Sequence, residues 1–266
     1  MKNKLFWILL TLSIICIFLP CAAMAATDGG EFNAESVDPN GNPYICEWIY
    51  DEESEALYVE GVGTLPEIPE NASPWDVHKD SVETVVVEEG VKIIGKRGFA
   101  NLTSLKNISF PDSLEHITMR AFQFCTGLEE IEIPGNVISV GDQTFLGCSS
   151  LKTAIFNDGI ERLGCYLFGN CTSLEDVYVY GMDTNISRAR SNDADGVIFK
   201  GCDFDKLTAH CYEGSDSQDY FENDIYTITN WSTDRYTGEE TQQSFPKKPN
   251  YMVEGNYQLK VEYIPE

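Results

Sequence analysis

One pattern of apolar and polar positions recurs along the middle of the chain with a constant spacing of 23 residues. Each copy has the order apolar-x-x-apolar-x-apolar, as in Leu128, Ile131 and Ile133. The alternation at the end of this motif is typical of a strand with one buried face. A fixed period of this length indicates a solenoid, in which each unit buries its apolar side against the next unit. The five copies start at Val82, Leu105, Leu128, Leu151 and Leu174.

Further apolar columns keep the same spacing, which makes coincidence an inadequate explanation. A single coil cannot fold alone, because its few inward side chains contribute roughly 1.5 to 3 kcal/mol each against about 1 to 2 kcal/mol of backbone entropy per residue. We therefore predict that the coils stack, with phenylalanines inside. The phenylalanine column is Phe99, Phe122, Phe145 and Phe168, and a neighbouring column is Leu102, Cys125, Cys148 and Cys171.

Turn residues follow each predicted strand, for example at Pro134-Gly135. The motif thus predicts short parallel strands that stack about 4.8 Å apart. A second apolar pair in each coil, such as Val137 and Val140, predicts a shorter strand on the opposite side, and the stretch from Phe145 to Cys148 predicts a helical or 3₁₀ turn. No long helical period occurs. The predicted fold class is α/β and β-rich, a right-handed solenoid of 23-residue repeats with short parallel strands, little helix and a cap at each end.

The first part of the chain has the pattern of an export signal, predicted over residues 1–25. Lys2 and Lys4 precede an apolar run, and a small-x-small cleavage site ends at Ala25. The apolar run is roughly 15 residues long, shorter than the roughly 20 that a membrane-spanning helix needs. Lipid attachment at Cys21 is the less favoured alternative, because a proline precedes it. We expect a mature chain that is secreted or held at the cell surface, without a transmembrane segment.

The repeat divides the remaining chain into three parts. Residues 26–81 lack the repeat and contain strand-like stretches joined by polar turns, which predicts an N-terminal β cap. The solenoid is expected over residues 82–231, with an insertion at 182–196 and a C-terminal cap at its end. Residues 232–266 form a tail, in which Glu254-Gly255-Asn256 favours a β-hairpin.

Composition narrows the classes of partner. Without the two lysines of the export signal, the chain has 16 basic and 43 acidic residues, a formal charge of −27. This charge argues against nucleic acid and against an anionic membrane as partners. It has two interpretations: the solubility of an exported protein, which we favour, or the attraction of basic proteins and cations.

Seven cysteines follow the export signal, and an odd number leaves at least one thiol free. Cys125, Cys148 and Cys171 share a column with Leu102 and are interpreted as small apolar packing residues. Parallel side chains in a column do not point at one another, which disfavours bridges between them. The spacing matches no metal-ligand motif, and residues 193–196 contain only part of a calcium-loop motif. We predict no metal site and no cofactor.

The fullest copy of the repeat motif is Phe-x-x-Cys-x-x-Leu-x-x-Ile-x-Ile-Pro, from Phe122 to Pro134. Over residues 82–181, and again over 197–211, the chain resembles the BspA-like family of leucine-rich-repeat surface proteins, also called the Treponema pallidum type. Ala154 departs from the pattern, which has a larger aliphatic residue there. The resemblance implies a leucine-rich-repeat solenoid. It also implies a secreted or surface-displayed bacterial protein that binds other proteins in adhesion or host interaction.

A binding function would use the outward positions of the strands, which lie between the buried ones. The expected partner is an extracellular protein of a host or of a bacterial surface, and the chain is expected to be a monomer. A structural surface component without a dedicated ligand is the alternative. The candidate protein-binding residues are Asn107, Ser109, Glu130, Glu132, Thr153, Ile155, Asp176 and Tyr178.

The sequence offers little chemistry for an enzyme. His78, His116 and His210 are the only histidines, and neither a metal-binding pair nor a phosphate loop occurs. Cys211 next to His210 suggests a thiol nucleophile, but adjacent residues of a strand point to opposite faces. We therefore predict that the protein is not an enzyme.

Overall fold

The computed structural model of the chain describes eight segments, in which strands dominate. Helix in these segments is limited to α1 (Asp216–Asp219), a 3₁₀ turn at Asp76–His78 and a π turn at Tyr220–Asp224. The predicted export signal lies outside the described residues, which are 27–37, 43–65, 67–70, 72–187, 198–224, 227–233, 240–246 and 259–265. The strands, in chain order, are β1 (Thr27–Val37), β2 (Pro43–Asp51), β3 (Ala56–Gly61), β4 (Gly63–Thr64), β5 (Thr84–Val87), β6 (Val91–Ile94), β7 (Asn107–Ser109), β8 (His116–Ile117), β9 (Glu130–Ile133), β10 (Ser139–Val140), β11 (Thr153–Phe156), β12 (Arg162–Leu163), β13 (Asp176–Val179), β14 (Asn185–Ile186), β15 (Thr208–Cys211), β16 (Thr227–Thr233), β17 (Glu240–Pro246) and β18 (Lys260–Tyr263).

Parallel strands from successive coils form two stacks. One stack, which we call the strand face, contains the sheet β9-β11-β13-β15-β18 and, in a separate sheet, β3-β5-β7. The other stack is the six-stranded sheet β4-β6-β8-β10-β12-β14. Ala154 pairs with Ile131 of the coil before and Val177 of the coil after, an offset of one sequence period on each side. The predicted fold of short parallel strands with little helix is confirmed.

The phenylalanine column forms the core of the solenoid. From Phe99 onward, each ring stacks on the ring of the next coil, with centroid distances of 5.6 to 5.9 Å and interplanar angles of 8 to 18°. Trp75 extends the column at one end, 5.6 Å from Phe99. Phe221 extends it at the other end, 6.1 Å from Phe199. The predicted column is confirmed, and its extensions join both caps to the coils.

The cysteine column is buried, and its thiols have hydrogen-bond partners. Sγ of Cys125 donates to the carbonyl of Phe99 at 3.2 Å, and Sγ of Cys148 donates to the carbonyl of Phe122 at 3.2 Å. Cys202 occupies the same place in the last coil. Burial raises the pKa of Cys148 to about 12. All seven cysteines among the described residues are free thiols, in keeping with a packing role.

The turn that closes each coil differs from the predicted helical or 3₁₀ turn. In four coils, two residues take the left-handed backbone conformation, with φ between 56° and 76°. The stretch from Phe145 to Cys148 does close as a turn, with the Cys148 N–H donating to the Phe145 carbonyl at 3.1 Å. Because left-handed residues cannot continue a right-handed helix, this turn is not helical as predicted. The two left-handed columns are Arg97, Arg120, Gln143 and Tyr166, and Asn101, Phe124, Gly147 and Asn170.

The N-terminal cap is built from the antiparallel strands β1, β2 and β3. β3 also pairs in parallel with β5, so the cap supplies the first strand of the strand face. Trp48 of β2 packs edge-on against Trp75, with a centroid distance of 6.1 Å. Together the two tryptophans cover the end of the phenylalanine column.

The second stack continues into the predicted insertion at 182–196. β14 pairs with β12, which places Ile186 opposite Leu163, and Ile186 is buried. The two residues are 23 positions apart, so the insertion begins later than predicted. Its remainder from residue 188 lies outside the described residues. β15 pairs in register with β13, so the strand face resumes beyond it.

The C-terminal part closes the solenoid. Ser215 caps α1, its Oγ accepting a hydrogen bond from the backbone N–H of Gln218 at 3.2 Å. β16 and β17 form an antiparallel hairpin that spans the boundary predicted at residue 231. β18 pairs in parallel with β15, so the tail adds a strand to the strand face. The turn predicted at 254–256 lies outside the described residues.

Candidate binding face

The candidate site is the outward side of the strand face, where alternate residues of each strand point away from the core. In β9, for example, Ile131 and Ile133 are buried while the two glutamates between and before them are exposed. All eight predicted site residues occupy such outward positions. Asn107, Ser109, Glu130 and Glu132 are exposed, and Thr153, Ile155, Asp176 and Tyr178 are half-buried.

The structure brings six of the eight residues together and leaves two apart. Across β9, β11 and β13 the six pair in register, and Ile155 lies between Glu132 and Tyr178. Asn107 and Ser109 lie on β7, which belongs to the other sheet of the strand face. Within the described part of the chain, no strand pairing joins β7 to β9. The predicted ladder of contacts is therefore continuous only from β9 onward.

Three aromatic residues that the sequence analysis did not assign to the site gather beside Tyr178. Tyr178 stacks on His210 at a centroid distance of 4.1 Å and an angle of 8°, because the two residues are paired across β13 and β15. The Tyr180 ring lies 6.3 Å from the Tyr178 ring and 6.3 Å from the Tyr212 ring. With the adjacent Ile155 these side chains form one half-buried surface. We call these five residues the aromatic patch.

Carboxylates flank the aromatic patch. His210 Nε2 lies 2.7 Å from Asp176 Oδ1, and its Nδ1 lies 3.6 Å from Glu262 Oε2, so His210 ties β13 to β18. Desolvation by burial, followed by the charge of Asp176, raises the pKa of the Tyr178 hydroxyl. The hydrogen bond from Lys260 lowers the pKa of Glu262. The lowered pKa keeps Glu262 ionised at neutral pH, and carboxyl groups border the tyrosines on two sides.

β9 adds two more carboxylates on the other side of Ile155. Glu130 and Glu132 are exposed, and Glu132 Oε1 accepts a hydrogen bond from Asn157 Nδ2 at 2.7 Å. Among the described residues neither glutamate forms an ion pair with Lys, Arg or His. Lys152, which precedes β11, is instead paired with Glu129 at 2.7 Å. This edge of the face therefore presents uncompensated negative charge to solvent.

A surface pocket of about 110 Å³ lies away from these residues, between the N-terminal cap and the first coils. Arg97, Arg120, Glu70 and Asp76 are among the residues that line it. Arg97 Nη2 lies 3.4 Å from Glu70 Oε2, and Arg120 Nε donates to Gln143 Oε1 at 2.6 Å. Charges of both signs line this pocket, and both of its arginines already have hydrogen-bond partners. The pocket therefore favours neither an anionic nor a cationic ligand.

The described residues offer little for other kinds of site. His210 points outward and is half-buried, whereas Cys211 is fully buried on the inward side, so they form no catalytic pair. Desolvation raises the pKa of the Cys211 thiol, which keeps it protonated at neutral pH. In the segments that the structure covers, no three His, Cys, Asp or Glu side chains gather as a metal site. No helix in these segments has the length and apolar character needed to cross a membrane.

Comparison with protein families matches residues 77–192 to six copies of the BspA type leucine rich repeat region. The matched residues include the strands β5 to β14, with Ile155, Tyr178 and Tyr180 of the aromatic patch. Comparison with curated proteins gives no match.

Solved structures that are similar to this chain include several leucine-rich-repeat proteins. The leucine rich repeat protein of T. pallidum is 20% identical over 60% of this chain and 71% of its own chain, with a TM-score of 0.38. The pneumococcal vaccine antigen PcpA is 19% identical over 70% of this chain and 51% of its own, with a TM-score of 0.46. A leucine rich cell surface protein from Faecalibacterium prausnitzii is 16% identical over 79% of this chain and 60% of its own, with a TM-score of 0.36. This chain thus spans less than two thirds of the length of the last two proteins.

Proposed function

We propose, from the match of residues 77–192 to the BspA type leucine rich repeat region, that the protein binds other proteins through its strand face. The proposed place of action is the outside of the cell or the bacterial surface. The proposed partner is an extracellular protein of a host or of another bacterium. In this proposal the solenoid is a rigid support, and the outward side chains of β9 to β15 make the contacts.

The aromatic patch is the observation that carries the proposal. Tyrosine is enriched in protein interfaces, because its ring gives a large apolar contact at a low cost in conformational entropy and its hydroxyl finds polar partners. Tyr178 lies on β13, Tyr180 and Tyr212 directly follow β13 and β15, and all three remain half-buried. A cluster of aromatic side chains that folding leaves partly exposed, with charged residues around it, is typical of a recognition surface.

Export is part of the proposal and is supported by the beginning of the chain. Lys2 and Lys4, the apolar run after them and the cleavage pattern ending at Ala25 form a signal peptide pattern. Loss of the first 25 residues during secretion of the full chain, measured by N-terminal sequencing of the secreted product, would support export. Retention of these residues in a cytoplasmic product would contradict it.

The binding face is tested by capture of proteins from extracts of host matrix and of bacterial surfaces. The face variant carries Ile155→Ser and Tyr180→Ser. A matched control carries Val77→Ser and Ile138→Ser, which replace apolar residues that are also solvent-exposed but lie outside the aromatic patch. We expect the control to retain the proteins that the native chain captures saturably, and the face variant to lose them.

Two results would contradict this function. Equal capture by both variants would remove the strand face as the binding surface. No saturable capture by the native chain would favour a structural surface component without a dedicated ligand. Thermal unfolding of both variants serves as the control for folding, because a face variant that melts like the native chain has lost binding and not structure.

A further inference from the structure

Resting on the proposed function, we propose that the aromatic patch and its flanking carboxylates bind a cationic segment of the partner protein, one that presents Lys or Arg side chains. This inference concerns the chemistry of the partner. The protein-binding function stands without it, and the experiments below separate the two.

The outward side of the strand face carries more acidic than basic side chains. Outward positions of β9, β13 and β18 carry Glu130, Glu132, Asp176 and Glu262. Within the described strands β9 to β18 of this sheet, Lys260 is the only Lys or Arg, and it already forms an ion pair with Glu262. The face is therefore net negative. A partner segment with acidic side chains would meet repulsion here, and a basic one would meet attraction.

The aromatic patch lies between these acids along the sheet. Ile155 and Tyr178 separate Glu132 from His210 in the row of paired residues, and Glu262 follows His210 at the far end of this row. A Lys or Arg side chain laid across the row would place its aliphatic stem on Ile155 and the rings. Its charged head would then reach a carboxylate at either end. An aromatic face within about 6 Å of a cation attracts it further.

The orientation of the tyrosine rings favours a planar cation. The Tyr178 and Tyr180 rings are nearly parallel, at 11°, and both are half-exposed. Desolvation by burial, followed by the charge of Asp176, raises the pKa of the Tyr178 hydroxyl, so the side chain is neutral and its ring faces attract cations. Planar guanidinium groups stack on such rings. Arginine is therefore the better of the two cations for this surface.

The decisive experiment measures binding of short synthetic peptides to the full chain by isothermal titration calorimetry. The probes are a peptide with Arg at alternate positions, the same peptide with Lys, and the same peptide with Glu. We expect the Arg peptide to bind most tightly and the Glu peptide not to bind. Because a formal charge of −25 attracts any polycation, binding alone does not support the proposal, and the variants below decide it.

The aromatic contribution is isolated by two double variants. Tyr178→Phe with Tyr180→Phe keeps both ring faces, whereas Tyr178→Leu with Tyr180→Leu removes them at unchanged charge. We expect the Phe pair to bind the Arg peptide within about twofold of the native chain, and the Leu pair to bind about five- to tenfold more weakly, as two exposed cation–π contacts imply. Equal affinity of the two pairs would overturn the proposal.

The carboxylate contribution is isolated in the same way. Glu130→Gln with Glu132→Gln removes two charges beside the patch, and the control Asp158→Asn with Glu161→Gln removes two exposed charges from the connection between β11 and β12, outside the patch. We expect only the first pair to weaken Arg-peptide binding strongly. The same loss in both pairs would mean that net charge holds the peptide, and the proposal would fail.

A neutral polysaccharide is the alternative ligand for a surface rich in tyrosine. It is tested with soluble dextran and soluble β-glucan. Binding of either polysaccharide that depends on Tyr178 and Tyr180, together with no binding of the Arg peptide, would overturn the cationic partner. If the face variant fails to capture the extract proteins while no peptide binds the native chain, protein binding by the strand face stands and the proposal of a cationic partner is wrong. If the face variant changes neither measurement, both proposals fail.

Discussion

At the scale of single residues, burial decides which side chains hold the coils together and which stay available to a partner. The thiol of Cys148 is enclosed and donates to a carbonyl of the coil before, so it acts as a small apolar residue with one polar contact. Tyr178, only one period and a few residues along the chain, has its ring on the outer side, half-exposed and bordered by acids. The same 23-residue frame assigns one residue to the core and the other to the surface.

The buried thiols predict a specific labelling pattern. Iodoacetamide at about pH 8 should leave Cys148 unmodified in the folded chain, because burial raises its pKa to about 12 and only the thiolate reacts. Cys165, which is half-buried, should react first. Mass spectrometry after labelling, with and without denaturant, measures both. Rapid labelling of folded Cys148, or a disulfide between two column cysteines, would contradict the packing role.

Replacing two glycines by alanine distinguishes the cost of backbone strain from the cost of a steric clash. Gly159 and Gly214 both have positive φ, 107° and 81°. A Cβ at Gly159 would lie 2.2 Å from the carbonyl oxygen of Gly135 in the coil before, whereas a Cβ at Gly214 meets nothing within 4 Å. Gly214→Ala should therefore cost about 1 kcal/mol of unfolding free energy from strain alone, and Gly159→Ala about 3 kcal/mol or more. Urea unfolding measures both, and equal losses would show that the coils are not this close.

The sequence predicted the phenylalanine and cysteine columns because a constant spacing identifies equivalent residues without a structure. It did not identify His210 as a neighbour of Tyr178, because 32 residues separate them and the extra ones hide the equivalence. Ile186 was missed for the opposite reason. It keeps the spacing of 23 from Leu163, but polar neighbours made its segment look like the insertion.

At the scale of elements, the second stack is continuous over six strands and the strand face is divided. β7 and β9 belong to different sheets, although β8 and β10 of the same coils are paired in register. The division follows a coil whose strand is short, three residues in β7 against four in β9 and β11. The proposed binding surface therefore begins at β9.

Hydrogen exchange tests this division. β11 is paired on both sides, whereas β9 is paired with β11 alone among the described strands. Amides that lack a partner strand exchange faster, because they open without disrupting a ladder. We expect amides of β9 to exchange faster than the equivalent amides of β11, measured by mass spectrometry or NMR. Equal protection of the two strands would show that β7 and β9 are paired and that the face extends to Asn107.

The elements that the sequence could not predict are those without a local signal. The left-handed residues include Arg97, Gln143 and Tyr166, and nothing in these residue types indicates a positive φ, so the turns resembled helix. In the second column Asn101, Gly147 and Asn170 point to it, because glycine and asparagine favour the left-handed conformation. The parallel pairing of β18 with β15 was equally hidden, since an alternating pattern does not reveal which strand it will join.

At the scale of the whole molecule, one ring column from Trp75 to Phe221 joins both caps to the coils, and one negative face lies along its C-terminal half. Periodicity was enough to predict the solenoid and the caps, because stacking is the way such coils bury their apolar sides. It was not enough to place the proposed binding surface. That surface depends on side chains outside the repeat consensus, and the period carries no information about them.

The central claim is that the coils stack in steps of 23 residues and thereby share one buried column of rings. The most direct measurement is thermal unfolding, followed by circular dichroism, of two deletion variants. The first lacks residues 105–127, one full period, and the second lacks residues 105–115, about half of one. Removal of a whole coil restores every column, since each repeat contacts only its neighbours. The account predicts a cooperative transition at reduced temperature for the first variant and none for the second. Equal behaviour of the two variants would contradict it.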